Sequence, residues 1–449
     1  CLTFTDSGAT AMRARLASII GPDAYKVAIQ TFHSFGSEVI NQHREFFYRG
    51  AEYKPADELA QYEIMTQLFD ELPYDSPLAS KNNGEYTHLR DALRSISELK
   101  QAGLTSDELL MVLNENDRTL DALEADLDAV FQNRIHISMC EPLSVVAQKA
   151  ASLPIGKLPP VIAALSAELS LSLAHAIDAA TDSGKTNKIT EWRNTWLAQD
   201  SHKKYVFKDR ARHAKLRVVA HLYFSYLSRM DQAGLYDYDD MILGVVHAME
   251  LNPELMYNLQ EAYQYVLVDE FQDTNLAQLR ILFNLATIAH GDAPNVMVVG
   301  DDDQAIYSFQ GADVNNIHRF RTQFPDYQSV VLTENYRSAQ IILDHAREVI
   351  TQATGRLEDS MEIDKRLHAQ PDAPKGSVEL IATKTRTDEL SWVSDSIAKQ
   401  IASGADPRSI VVLARQHAEL VELLPYLHHH NIRVNYERRD NVLDLEPIQ

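Results

Sequence analysis

Short apolar runs that break off into polar residues limit the folds open to this chain more than any other feature. Residues 265–268 read Tyr-Val-Leu-Val, 296–299 read Val-Met-Val-Val and 410–413 read Ile-Val-Val-Leu; SVVLTENY (329–336) is a fourth run of similar type. Continuous runs, rather than alternation, suit strands of a parallel sheet covered by helices on both faces. TNLAQLRILFNLATIAH (274–290) follows the first run with helical spacing, and Thr274 or Asn275 is placed to cap it. Strand, helix and strand over about 35 residues make a βαβ unit, so the fold class is α/β.

At 449 residues the chain is too long for one ordinary core, and its length suggests about three units. Residues 51–205 stand apart: they are rich in Leu, Ala, Glu and Asp with helical periodicity, as in TSDELLMVLNENDRTLDALEADLDAVF (105–131). They read as a helical insertion between a first part (1–50) and a second part (206–328) of one α/β domain. A second α/β unit follows over 329–449, with a loop marked by Pro371, Pro374 and Gly376. No run of 18 apolar residues predicts a membrane span, and no basic-then-apolar leader opens the chain. Two cysteines, Cys1 and Cys140, exclude a disulfide framework and fit a reducing cytosol, so a cytoplasmic location is expected. Because CLTFTD starts mid-pattern on Cys1 and NVLDLEPIQ stops without a cap, the chain is expected to be an internal piece of a longer one.

The net charge of −22 argues against broad affinity for nucleic acid, though not against a local groove. Seven Lys and Arg fall in 203–217, whereas 105–130 is acidic. The favoured reading of the basic run is a solvated helix face.

Chemistry concentrates at the strand ends. Val266-Leu267-Val268 put Asp269 and Glu270 at the carboxyl end of a buried strand, where open α/β sheets bind ligands. A carboxylate there can hold Mg²⁺, usually through its water shell, and the metal neutralises nucleotide phosphates. Glu270 could position or deprotonate an attacking water. The competing reading is an acidic loop capping the next helix, a role that suits Asp273. The second strand ends alike, in VMVVGDDDQAIYSFQGAD (296–313). Gly300 permits a tight turn, and Gln304 can bond a γ-phosphate or a water without adding negative charge. Tyr307 and Phe309, at spacing two, would point both rings to one side of an extended segment. Such rings stack on unpaired bases for roughly 1–3 kcal/mol each, although in isolation they read as core.

Together these stretches resemble the UvrD/Rep-type superfamily I DNA helicases. LTFTDSGATAMRARL (2–16) is similar to that family's first DNA-contact motif and TFHSF (31–35) to its second. LYDYDDMI (235–242), VLVDEFQDTN (266–275), GDDDQAIYSFQGAD (300–313) and LTENYRS (332–338) follow in the family's order. The resemblance implies a RecA-like P-loop NTPase sheet with a large helical insertion, then part of a second RecA-like domain. It implies an ATP- and Mg²⁺-dependent enzyme that moves 3′→5′ on single-stranded DNA and unwinds duplex DNA in replication, repair or recombination. By the same resemblance Asp269 is the Mg²⁺-associated carboxylate, Glu270 the catalytic base and Gln304 the γ-phosphate sensor. Tyr336 packs on adenine, and Arg337, by itself a surface arginine, is an arginine finger. Phe4, Thr31, His33, Tyr307 and Phe309 line the single-stranded DNA path. Three positions depart from the pattern. Asp6-Ser7-Gly8-Ala9 stands where Asn-Lys-Ala-Ala is usual, Gln310 where Arg is common, and Phe309 where Trp is common. The first two remove positive charge from the DNA path.

TDSGKTNKIT (181–190) imitates a phosphate loop and is not one. G-x-x-x-x-G-K-[ST] puts Ala179 where the first glycine belongs, and LSLSLAHAIDAA (169–180) before it reads as helix rather than strand. Ser183–Thr186 is a turn between insertion helices. The family's loop is expected before Cys1 and its last motifs beyond Gln449, so residues 1–449 alone are not expected to hydrolyse ATP. Three lesser features read as structure: His428-His429-His430 as a helix end, Trp192 and Trp196 as a packing stripe, YDYDD (236–240) as a helix cap. The alternatives are a helicase–nuclease subunit of RecB or AddA type, a non-catalytic DNA-binding remnant, and an ATPase switch that binds protein.

Overall fold

The computed structural model describes residues 1–47, 53–159, 162–286, 294–306, 312–313, 315–353, 356–373 and 375–435. They form two compact units, Cys1–Val330 and Val331–Gln449, each described by itself. In the first, β1 (Leu2–Thr3), β2 (Gln30–Thr31), β3 (Val266–Val268) and β4 (Val296–Val298) make a four-stranded parallel sheet in the order β4-β3-β1-β2. Helix α1 (Asp6–Ile20) joins β1 to β2, and α2 (Phe32–Gln42) follows.

The insertion is built from α3 (Glu58–Asp70), α4 (Leu89–Gln101), α5 (Ser106–Phe131), α6 (Cys140–Ser152), α7 (Leu165–Ser183), α8 (Asn187–Trp196) and α9 (Asp209–Ala233). Thr105 and Glu108 form a capping box that starts α5. One core joins Met65 and Phe69 to Ile96 and to Leu222, Tyr223 and Tyr226 of α9. Another packs Leu120 and Leu127 against Leu143, Leu173 and Trp192. The helical layer therefore runs on to Ala233, past residue 205 where the sequence pattern ends it, because the apolar stripe of α9 is shared with α3 and α4. The basic run lies against the acidic helix. Arg210 meets Asp121 at 2.5 Å and Glu124 at 3.3 Å, while His213 and Arg217 take Asp117 at 2.7 and 2.5 Å. Two charge-biased segments thus neutralise one another across α5 and α9. Gly184, at φ 66°, ends α7 in a left-handed cap before α8, so the false phosphate loop is a helix–helix turn. Lys54–Pro55 and Leu235–Tyr236 pair in parallel where the chain enters and leaves the insertion.

The chain returns through α10 (Tyr238–Leu251) and α11 (Pro253–Ala262) to β3, then α12 (Leu276–Ala286), β4 and α13 (Asn315–Gln323). The links β1-α1-β2 and β3-α12-β4 cross the sheet in opposite directions, so right-handed crossovers put α1 and α12 on opposite faces. Only the α12 face is sealed: Leu2, Val266 and Val268 pack with Phe35, Val245 and Leu282. On the other face Leu267 and Met297 are 41% and 55% exposed, and no residue of α1 is itself buried. The two-sided cover expected from the continuous runs is thus present on one face among the described residues.

The second unit pairs Glu334–Asn335 with His368–Ala369 in parallel, and its helices are α14 (Gln340–Ile350), α15 (Leu357–Met361), α16 (Arg386–Ala402) and α17 (His417–His429). Leu390 and Ile397 of α16 pack on Leu423 and Leu427 of α17. Residues 410–413 form no strand, and only Glu334–Asn335 of 329–336 does. An apolar run becomes a strand only when a neighbour completes its hydrogen bonds, and among the described residues none does so for this run. His428 and His429 close α17 and His430 lies 2.9 Å from Asp395; the described residues hold no cluster able to bind a metal through three His, Cys, Asp or Glu. No helix among them is long and apolar enough to cross a membrane.

Candidate active site

Parallel strands put their carboxyl ends on one edge. Phe4 follows β1 there, α2 starts at the end of β2, and Asp269 and Gly300 follow β3 and β4. The end of β3 is fastened on both sides. The Asp269 N–H donates to Leu2 O at 2.9 Å, Val299 N–H to Val268 O at 2.8 Å and Phe271 N–H to Val299 O at 2.9 Å. This path forces Glu270 to φ 51°, ψ 46°, the left-handed region that a residue with a Cβ seldom occupies.

Gln272, which sequence reasoning missed, ties the two strand ends together. It is 1% exposed; its Nε2 donates to Glu270 Oε2 at 2.8 Å and its Oε1 accepts from Asp301 N–H at 2.9 Å. A Cβ on Gly300 would stand 2.6 Å from that Oε1, so only glycine lets the contact form. Gln304, exposed in the turn Asp302–Gln304, donates from Nε2 to Asp301 Oδ2 at 2.9 Å. Glu270, Gln272, Asp301 and Gln304 therefore form one hydrogen-bonded series.

Burial, then Glu270, push the carboxyls of Asp269 and Asp273 above the usual carboxylate range. Asp273 is buried with one carboxylate oxygen lacking any partner. It does not cap α12: Asn275 and Gln278 do so reciprocally, at 3.1 and 2.9 Å. Thr274 turns its hydroxyl to Phe271 O, and its own carbonyl accepts from the buried Asn316 Nδ2 at 2.8 Å. The unpartnered Asp273 oxygen is a hard donor of the kind that suits a divalent cation such as Mg²⁺.

The other carboxyl-edge residues divide. Thr31 Oγ1 accepts from Ser34 N–H at 3.2 Å, so this buried threonine caps α2. His33, in the first turn of α2, sits edge-on to Tyr238 with ring centres 6.1 Å apart, and burial lowers its pKa against Asp239 and Asp6. Tyr238 is 62% exposed. By its own residues YDYDD reads as a cap, and Asp237 and Asp240 do form that capping box; the aromatic between acidic cap residues is the signal that points further. Thr5 caps α1 by accepting from Gly8 N–H at 3.0 Å. Tyr307, Phe309 and Gln310 lie outside the described residues. On the second unit, Asn335 Oδ1 accepts from the N–H groups of Arg337 and Ser338 at 3.0 and 2.7 Å. That turn presents Tyr336, 80% exposed, and an exposed Arg337.

A family model described as UvrD/REP helicase N-terminal domain matches residues 1–325, and one described as UvrD-like helicase C-terminal domain matches residues 330–441. The chain is similar to ATP-dependent DNA helicase UvrD1 of Mycobacterium leprae, 37% identical over 199 residues, which cover 42% of this chain and 24% of that protein. It is also similar to ATP-dependent DNA helicase PcrA of Staphylococcus epidermidis, 31% identical over 203 residues, 45% of this chain and 26% of the relative. The matched stretch spans about a quarter of the length of these relatives.

Proposed function

This chain belongs to the UvrD-like helicase family, and from that premise we propose that it serves an ATP-dependent DNA helicase, moving 3′→5′ on single-stranded DNA in the cytoplasm. The observation that carries the reading is the hydrogen-bonded series from Glu270 through Gln272 and Asp301 to Gln304, on the sheet edge that also presents Phe4 and His33. Asp269 would hold Mg²⁺, which neutralises the charge of ATP phosphates when bound. Glu270 takes the proton of the attacking water, and Gln304 meets the γ-phosphate. Tyr336 packs on adenine, and Arg337 stabilises charge on the transferring group. Phe4, His33 and Tyr238 form the face for unpaired bases, Thr31 shapes it by starting α2, and the family resemblance alone assigns Tyr307 and Phe309 to the same task.

Residues 1–449 contain no G-x-x-x-x-G-K-[ST] stretch, so DNA binding is the first test. The chain is expected to bind a fluorescent oligothymidylate more tightly than a blunt duplex of equal length, and Phe4→Ala to weaken that binding by about tenfold. Equal or absent affinity for single strands would favour a protein-binding switch instead.

A further inference from the structure

One face of α4 grips all three carboxylates of the segment 237–240. Ser97 Oγ donates to Asp239 Oδ2 at 2.5 Å, and Gln101 Nε2 lies 3.4 Å from both oxygens of Asp239. The Lys100 Nζ sits 2.5 Å from Asp237 Oδ2 and 2.6 Å from Asp240 Oδ1. Positions 97, 100 and 101 share a helix face, so the grip comes from a single turn of the insertion. Lys100 is 0% exposed, and its ammonium lies 5.0 Å from the ring centre of Tyr226 and 5.8 Å from that of Tyr223.

A buried lysine without partners would shed its charge. Burial pulls Lys100 down, but Asp240 and Asp237 outweigh it and hold the ammonium above the ordinary lysine range. This is more than a helix start requires. Asp237 and Asp240 already complete the capping box, whereas Asp239 takes no part in it and, among the described residues, bonds to Ser97 and Gln101 of α4. Tyr238 stands between them, exposed, its ring edge against His33. Fixing Asp237, Asp239 and Asp240 fixes the rotation of the first turn of α10, and with it the direction of Tyr238.

We infer that Lys100 is a positioning residue for nucleic-acid contact: through the α4 clamp it holds Tyr238 beside His33 as a stacking face for an unpaired base. This rests on the single-stranded DNA reading above. It assigns the insertion a part in DNA binding that acts through α10.

The test measures oligothymidylate affinity of the 449-residue chain over a range of salt concentrations. Tyr238→Ala is expected to weaken binding about tenfold, with the slope of log affinity on log salt unchanged because no phosphate contact is lost. Lys100→Met should do the same, and Lys100→Met with Tyr238→Ala should be no weaker than Tyr238→Ala alone. Should Lys100→Met fail to fold, Ser97→Ala with Gln101→Ala frees Asp239 while leaving the Lys100 ion pairs with Asp237 and Asp240 in place. That pair is expected to cost about threefold, a cost that vanishes in the Tyr238→Ala background. Wild-type affinity in Tyr238→Ala or in the clamp variants, losses that add, or a changed salt slope would overturn the clamp while leaving the DNA reading intact. A wild-type chain that does not bind the oligonucleotide would overturn both.

Discussion

Glu270 offers a perturbation whose size can be worked from the backbone. At φ 51°, ψ 46° an L residue pays about 1–2 kcal/mol that glycine does not. Glycine in turn gives the unfolded chain extra freedom worth about 0.5–1 kcal/mol. Two further effects accompany any truncation: the charge that raises Asp269 and Asp273 disappears, and Gln272 Nε2 loses an acceptor. Glu270→Ala and Glu270→Gly share both, so the difference between them isolates the backbone. Glu270→Gly should be the more stable by about 0.5–1 kcal/mol. Urea unfolding of the two variants side by side measures this, provided their denaturant slopes agree. An alanine variant as stable as the glycine variant would refute the strain. The strain would then not be part of how this edge holds a carboxylate in place, and the unusual dihedral would carry no functional meaning.

Gly300→Ala should destabilise the first unit by roughly 1–3 kcal/mol, since the new Cβ meets Gln272 Oε1 at 2.6 Å and two backbone nitrogens at 3.2 Å; urea midpoints report it. Asn316→Ala should cost about 1–2 kcal/mol by the same measurement, because a fully buried donor to Thr274 O is removed. For His33 the folded pKa lies below the ordinary 6.5, so its contribution is present above pH 6.5 and lost as pH falls through the folded value. Wild type should therefore lose more stability than His33→Gln between pH 7.5 and 5.5; a constant gap between the two would contradict the burial of that imidazole.

What the sequence discloses and what it hides divide along one physical line. The strands at 266–268 and 296–298, the helix after 275 and the helical character of the insertion are local patterns, and periodicity reads them. Gln272 is unreadable that way, because its partner Asp301 arrives only when β4 pairs beside β3. Lys100 is more remote still, 137 residues from Asp237, and looks like any helix-surface lysine until α4 is laid on α10. Cap chemistry is read half correctly before α12: Asp273 does not cap it, whereas Asn275, named from sequence beside Thr274, does. The run at 410–413 shows the reverse failure, a strand composition to which no neighbour supplies hydrogen bonds among the described residues.

The parallel pairing of Lys54–Pro55 with Leu235–Tyr236 brings together the two points where the chain leaves and rejoins the α/β domain. A module whose ends meet can be lengthened, exchanged or deleted during descent without re-registering the sheet that hosts it. What such an exchange must reproduce is small: the clamp on Asp237, Asp239 and Asp240, and the carbonyl of Gly103, to which Arg280 of α12 donates. Natural variation in the insertion should accordingly be free in its outer helices and narrow at these few docking atoms.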